Sequence, residues 1–125
     1  IECDRGDQLI TADAALLRRA VENLIANALR YTRPRSTVTL WVQGADNAVE
    51  IAVADRGPGV PDAYKGEVFS KYRTMDQGAA RQRRGSGLGL YLVKLATEAH
   101  GGVASVEDRD AGGAVFRIRL PRVAS

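Results

Sequence analysis

The sequence predicts an α+β protein, a two-layer α/β sandwich with helices on one face of a mixed, mostly antiparallel sheet. In two segments the apolar residues recur every three or four positions, which is typical of helices that bury one side. In four shorter segments they alternate with other residues, and turn residues join these segments into two pairs. The order helix, hairpin, loop, helix, hairpin favours both helices packing on one sheet.

The two helices are predicted at 13–31 and 88–99. Asp13 or Thr11 can cap the start of the first helix, and a proline lies just beyond its end. A glycine-rich turn opens the second helix, and a pair of glycines ends it, as is common at helix C-termini.

The strands are predicted at 37–42, 49–54, 103–107 and 115–120. Turn residues at 44–47 and 111–113 join them into two hairpins. The beginning of the chain, 1–11, is predicted to form a small irregular strand pair. Between the hairpins, a short helix is expected at 62–70 and a mobile loop at 74–84, because that loop contains almost no large apolar residue.

Length and composition indicate one compact, folded domain. The chain has 125 residues, 45% of them hydrophobic and 26% charged, which is ordinary for a globular protein and unlike a disordered one. Cys3 is the only cysteine, so no internal disulfide forms and a reducing, cytoplasmic setting is expected. No apolar run approaches the ~20 residues of a membrane span.

The net charge of +3 is compatible with binding to nucleic acid, an anionic membrane or a polyanionic small molecule. The arginines fall into two groups, which on a purely structural interpretation are solvated surface. The groups are Arg30, Arg33 and Arg35, and Arg81, Arg83 and Arg84.

Two asparagines lie one turn apart on the first predicted helix. Asn23 and Asn27 share a face, and Arg30 and Tyr31 follow one turn later. Amide oxygens are ligands that Mg²⁺ accepts, although both asparagines could equally be caps or polar-face residues. Asparagine is a mediocre helix former, so a pair of them on a mostly apolar helix calls for a reason.

Two glycine-containing motifs could approach a ligand closely. Asp55 directly follows a predicted strand and begins the segment 55–59. A hydrogen-bond acceptor there could bind an exocyclic amino group, and the glycines would allow a ligand close to the backbone. The alternative is a plain turn. The segment 85–90 opens the second helix, whose N–H groups suit phosphate. It is neither a Rossmann fingerprint nor a Walker A loop, and a flexible joint is the alternative. His100, the sole histidine, fits a structural place at a helix end better than a catalytic one.

Taken together and in order, these motifs resemble those of histidine kinases. The resemblance covers about residues 9–121. The four boxes of that family are the N box, the first glycine box, the F box and the second glycine box. They correspond, in that order, to 23–31, 55–59, 69–72 and 85–90. It implies the Bergerat ATP-binding fold, shared with gyrase, mismatch-repair and heat-shock chaperone ATPases, in agreement with the α+β prediction.

The resemblance implies ATP and Mg²⁺ as cofactors and assigns the N box to the phosphates. Asn27 would coordinate Mg²⁺, Asn23 would lie near the phosphates, and Arg30 would contact phosphate; these three would be the catalytic residues. On the base side, Asp55 would accept a hydrogen bond from the adenine amino group.

Other residues would line the nucleotide pocket or close over it. Tyr31, Gly57, Gly59 and Val60 belong to the base side, where the glycines would make room for adenine. The lid side comprises Lys71, Tyr72, Arg73, Arg84, Gly85, Ser86, Gly87, Leu88 and Gly89. One departure from the family concerns the F box, since Arg73 stands where tyrosine is usual and Thr74 where arginine is usual. The role of the lid arginine could then fall to Arg73, to Lys71, or to one of Arg81, Arg83 and Arg84.

The resemblance favours phosphate transfer over hydrolysis. Hydrolytic relatives have a general-base glutamate where Asn23 stands, and Glu22 is rotated by about 100° around the helix. The expected reaction is transfer of the γ-phosphate to a histidine on a separate helical dimerisation domain, with a response regulator acting indirectly. The alternatives are a hydrolytic ATPase of this fold, an anti-sigma-type serine kinase, and a binding module that uses the arginines without catalysis.

The resemblance also gives expectations for the setting. Residues 1–125 are expected to form one ATP-binding catalytic domain without its dimerisation and phosphoacceptor domain. The isolated domain is expected to be monomeric, cytoplasmic and without nucleic acid as a partner. Its parent protein could be anchored in the bacterial inner membrane.

Overall fold

A computed structural model describes residues 2–4, 13–45, 47–70, 88–110 and 112–121. The strands are β1 Glu2–Asp4, β2 Thr39–Ala45, β3 Ala48–Ala54, β4 Val103–Asp108 and β5 Ala114–Pro121. The helices are α1 Ala14–Tyr31, α2 Asp62–Lys65 and α3 Gly89–Ala99. The five strands form one sheet in the order β1-β2-β3-β5-β4, in which only the β1–β2 pairing is parallel. The predicted α+β sandwich with a mostly antiparallel sheet is confirmed.

The long helix α1 begins and ends where its flanking residues predict. The Asp13 carboxylate accepts a hydrogen bond from Leu16 N–H at 3.1 Å, so Asp13 is the N-cap. The buried stripe consists of Ala20, Leu24 and Ala28, spaced four residues apart. α3 packs beside α1 and buries Val93, Ala96 and Thr97, whereas its Leu92 and Leu95 stay exposed.

The core lies between this helix pair and one face of the sheet. Because side chains alternate along a strand, every second residue of β3 and β5 points toward the helices. At the centre, Phe116 meets the ring of Phe69 edge-on, with centroids 6.1 Å apart. The most buried large apolar side chains are Leu24, Val53, Val93, Ile118 and Leu120.

Two predicted boundaries were wrong. Gly44 and Ala45 continue β2 instead of forming the turn, because the register with β3 extends to the pair Ala45 and Ala48. The helix expected at 62–70 is one turn, Asp62–Lys65, followed by hydrogen-bonded turns. In the N-terminal segment, the described strand β1 pairs with β2; the rest of the strand pair predicted at 1–11 lies outside the described residues.

Among the described residues, no helix is both long and apolar enough to cross a membrane. The predicted loop at 74–84 lies outside the described residues.

Candidate functional site

The asparagine face of α1 meets the start of α3. Asn23, Asn27 and Tyr31 are half-buried and follow one another at four-residue spacing, so they line one side of the helix. A Cβ atom placed on Gly89 would lie 3.9 Å from Oδ1 of Asn23. The first residue of α3 therefore faces the middle of α1 without a side chain between them.

Asp55 is the buried acid of the site. It directly follows β3 and is only 3% exposed. Its Oδ1 accepts a hydrogen bond from Gly57 N–H at 2.8 Å. Its own N–H donates to the Ala114 carbonyl at 3.0 Å, which continues the β3–β5 pairing by one residue. The side chain is thus fixed by the sheet behind it and the turn in front of it.

Burial raises the pKa of the Asp55 carboxyl above its ordinary value, because desolvation disfavours the charged form. Hydrogen bonds from the backbone of Gly57 and Ala114, and the charge of Arg109, act in the opposite direction without cancelling the effect of burial. A buried acid whose pKa is raised is a feature common at binding sites.

Gly57 joins the Asp55 loop to the end of α1. A Cβ atom at this position would lie 2.3 Å from the Tyr31 carbonyl oxygen, so only glycine permits this approach. The Thr32 hydroxyl accepts a hydrogen bond from Arg56 N–H at 3.0 Å and strengthens the same junction. The two predicted motifs, far apart in sequence, therefore meet at one place.

Three more predicted site residues, two on the base side and one at the phosphates, have structural features of their own. Gly59 has a φ of +81°, in the region that favours glycine. Val60 is buried in the main apolar cluster. The guanidinium of Arg30 lies 5.8 Å from the centroid of the Tyr31 ring, within the range of a cation–π contact.

The lid is only partly within the described residues. Leu88 is half-buried and is the N-cap of α3, which begins at Gly89, one residue after the predicted start. The remaining predicted lid residues lie outside the described part. They are Lys71, Tyr72, Arg73, Arg84, Gly85, Ser86 and Gly87.

His100 links the two helices and has a structural role, as expected. Its Nε2 accepts a hydrogen bond from Asp13 N–H at 2.9 Å, and its Nδ1 lies 2.7 Å from the Ala96 carbonyl oxygen. These contacts fit a neutral ring that carries its proton on Nδ1. Both ring nitrogens are occupied.

Three contributors to the site were missed by the sequence reasoning. Thr32 bonds the Asp55 loop, Ala114 bonds the Asp55 backbone, and Arg109 donates to the Asp55 carbonyl oxygen at 3.3 Å. Thr32 is adjacent to the asparagine-bearing motif and could have been suspected. Arg109 and Ala114 lie more than fifty residues from Asp55, and no local pattern marks them.

The arrangement provides a buried acceptor at one end and amide oxygens at the other. Such a set can accept a hydrogen bond from an amino group and can offer oxygen to a hard cation. Comparisons with known proteins agree with this class of site. The family model described as "Histidine kinase-, DNA gyrase B-, and HSP90-like ATPase" matches residues 12–124.

The relatives that match include sensor kinases. The circadian input-output histidine kinase CikA of Synechococcus elongatus is 38% identical over 88% of this chain, which spans 15% of CikA. The probable sensor histidine kinase TcrY of Mycobacterium tuberculosis is 38% identical over 90% of this chain, which spans 24% of TcrY. The solved mycobacterial sensor histidine kinase MprB has a TM-score of 0.85 and 29% identity, covering 99% of this chain and 82% of that one.

Fold and site thus define an ATP-binding domain of the kind found in kinases and ATPases. The chain belongs to the histidine kinase-, DNA gyrase B- and HSP90-like ATPase family. Within that family its matched relatives are sensor histidine kinases, of which it spans the ATP-binding part.

Proposed function

We propose that residues 1–125 form the catalytic domain of a two-component sensor histidine kinase. The domain binds Mg-ATP and transfers the γ-phosphate to a histidine on a separate helical domain of its parent protein. The observation that carries this proposal is the Asp55 carboxylate, which is 3% exposed on a loop whose Gly57 lies against the end of the asparagine-bearing helix. Family membership and the sensor kinases among its relatives support it.

The base is recognised by Asp55. One carboxylate oxygen already accepts from Gly57 N–H, and the adenine amino group would donate to the carboxylate as well. Tyr31 and Gly59 border the base, and Val60 supports them from the core. As the resemblance to histidine kinases implies, the predicted lid residues at 71–73 and 84–89 would close over the phosphates.

Asn27 is the proposed Mg²⁺ ligand, with Asn23 and Arg30 at the phosphates. Magnesium commonly keeps waters and binds through one or two protein oxygens plus the substrate phosphates. The described residues contain no group of three or more His, Cys, Asp or Glu side chains that could enclose a metal. The donor set present therefore suits an ion that arrives with the nucleotide, where it would neutralise charge on the phosphates.

Phosphate transfer is favoured over hydrolysis because Asn23 stands where hydrolytic relatives carry a general-base glutamate. Asn23 cannot accept a proton from water. Glu22 lies on the exposed side of α1, where it pairs with Arg18 at 3.3 Å. General-base catalysis typically contributes ~10²–10⁴-fold, so we expect slow ATP hydrolysis. An attacking imidazole needs no such base at its lone pair.

The acceptor histidine is proposed to belong to a helical dimerisation domain, since both nitrogens of His100 are engaged. A response regulator would then receive the phosphate indirectly. The domain itself would be monomeric and would act in the cytoplasm, where ATP is available. Nucleic acid is not among the proposed partners.

The test is a titration with a fluorescent ATP analogue, with and without Mg²⁺. Asn27→Ala and Asp55→Asn should each weaken binding in Mg²⁺ by about tenfold or more, as expected for loss of charge-assisted contacts. Without Mg²⁺ the effect of Asn27→Ala should shrink, whereas that of Asp55→Asn should persist.

Asn47→Ala is the matched control, because Asn47 is exposed in the turn between β2 and β3. It should bind like the unchanged protein. Unchanged affinity in either pocket variant would contradict the proposed site.

A further inference from the structure

Three arginines form a cluster beside the nucleotide site that the proposed function does not use. We define Arg33, Arg35 and Arg56 as the basic loop patch. Arg33 and Arg35 are exposed in the loop between α1 and β2, and Arg56 is half-buried in the loop after β3. The two loops touch, because Arg33 N–H and Nε both donate to the Arg56 carbonyl oxygen, at 3.3 and 3.1 Å.

Backbone carbonyl oxygens hold the side chains of Arg33 and Arg56 in place. Arg56 Nη1 donates to the Asp110 carbonyl oxygen at 2.8 Å, so its partner is backbone. In the part of the chain that the structure describes, none of the three arginines forms an ion pair with a carboxylate. On the outer face of the sheet, by contrast, Arg117 and Arg119 both pair with Glu50.

Arg35 occupies a backbone position that suits glycine. Ser36 N–H donates to the Arg33 carbonyl oxygen at 3.1 Å, which closes a four-residue turn. Pro34 fixes a negative φ at the second position, and Arg35 at the third has a φ of +66°. A turn of this type prefers glycine there. The backbone strain of this positive φ thus falls on an exposed arginine, whose long charged side chain extends into solvent. Backbone strain that is retained at an exposed loop points to a function for that loop.

The geometry points to the basic loop patch as a docking site for an acidic segment of a partner protein. Planar guanidinium groups bind carboxylates through paired hydrogen bonds. Attachment to an anionic membrane typically takes clusters of about four to eight basic residues, and nucleic-acid binding typically neutralises about six to ten phosphates. Three arginines on two joined loops fit a short run of aspartates or glutamates.

Fluorescence anisotropy with the whole chain tests this inference. The probe is a fluorescein-labelled peptide of alternating glutamate and glycine, compared with the same peptide containing glutamine. Arg33→Gln and Arg35→Gly should each weaken binding of the glutamate peptide about three- to tenfold, with a loss that shrinks as salt rises. Arg35→Gly should also raise the Tm by a few degrees, because glycine relieves the positive φ.

Arg19→Gln is the matched control, since Arg19 is exposed in the first half of α1 and its replacement changes the net charge equally. It should leave peptide binding unchanged. The inference is overturned if the glutamate peptide does not bind, or if Arg19→Gln weakens it as much. It is also overturned if phosphatidylglycerol vesicles or a single-stranded oligonucleotide bind through these arginines while the peptide does not. ATP affinity is measured in parallel, so failure here is distinguishable from failure of the nucleotide site.

Discussion

At the scale of single residues, Asp55 shows a conflict between binding and stability. Burial raises the pKa of its carboxyl, so the folded protein holds this proton more tightly than the unfolded chain does. The ionised form therefore lowers the free energy of unfolding at pH values above the folded-state pKa. This cost disappears as the pH falls through that pKa toward the unfolded value.

Asp55→Asn should consequently leave the free energy of unfolding at pH 8 unchanged or higher, while ATP binding weakens by about tenfold or more. An amide has one oxygen, so either Gly57 N–H or the adenine amino group would face an NH₂ group. Urea denaturation at pH 8 and pH 5 measures this, and any stabilisation should be smaller at pH 5. Asp110→Asn, at an exposed position, is the control. Marked destabilisation by Asp55→Asn at pH 8 would disprove the account.

Gly57 is required by the backbone that it contacts. In Gly57→Ala the new methyl group would clash with the Tyr31 carbonyl oxygen, and relieving a clash in a packed region costs about 1–3 kcal/mol. Nucleotide affinity should fall as well, because the Asp55 loop would shift. Thermal denaturation and the ATP titration check both effects.

Gly66→Ala is the matched control for that variant, since a Cβ atom there would meet nothing within 4 Å. It should change the free energy of unfolding by less than about 1 kcal/mol. Equal free energies of unfolding for the two alanine variants would contradict the predicted clash between the new methyl group and the Tyr31 carbonyl oxygen.

At the scale of elements, α3 presents an apolar stripe beside the site. Leu92 and Leu95 are 45% and 44% exposed, and they lie in the first two turns after Gly89. A helix that carries the acceptor histidine could pack on this stripe and approach the phosphates. Exposed leucines on a helix are a common means of contact with another helix.

Leu92→Asp and Leu95→Asp should therefore reduce phosphate transfer to a separately supplied helical acceptor domain by about tenfold or more, while ATP affinity stays unchanged. Transfer of radiolabelled phosphate measures this effect. The chain alone should remain unlabelled, because His100 uses both ring nitrogens within the fold.

Leu29→Asp provides the comparison, because Leu29 is 56% exposed on the side of α1 away from Asn27. It should transfer phosphate like the unchanged protein. Equal loss in Leu29→Asp, or label on His100, would contradict the docking of an acceptor helix on α3.

At the scale of the whole molecule, a single sheet is covered on one face by helices and on the other by its own side chains. The registers place Trp41, Ala52 and Arg117 side by side across β2, β3 and β5. The Arg117 guanidinium lies 5.7 Å from the centroid of the Trp41 ring, above the buried Ala52. Arg117 also forms ion pairs with Glu50 and Glu107. The side chains on this outer face therefore contact one another across the strands of the sheet.

The sequence by itself determined the helices, the hairpins, the sheet's antiparallel character and the motifs of the site. Periodicity, caps and turn residues act over a few positions, so Asp13 and the alternating strands could be recognised locally. The prediction from sequence was wrong at Gly44 and Ala45, because the length of a strand depends on its partner strand. The roles of the site residues stay predictions.

Only the tertiary structure decided which distant residues meet. The approach of Gly57 to Tyr31, the support of Asp55 by Ala114 and Arg109, and the link from His100 to Asp13 all join separate segments. So do the contacts that unite Arg33 with Arg56. The physical reason is that burial and hydrogen-bond partners are set by packing, whereas local sequence fixes only the period and the ends of each element.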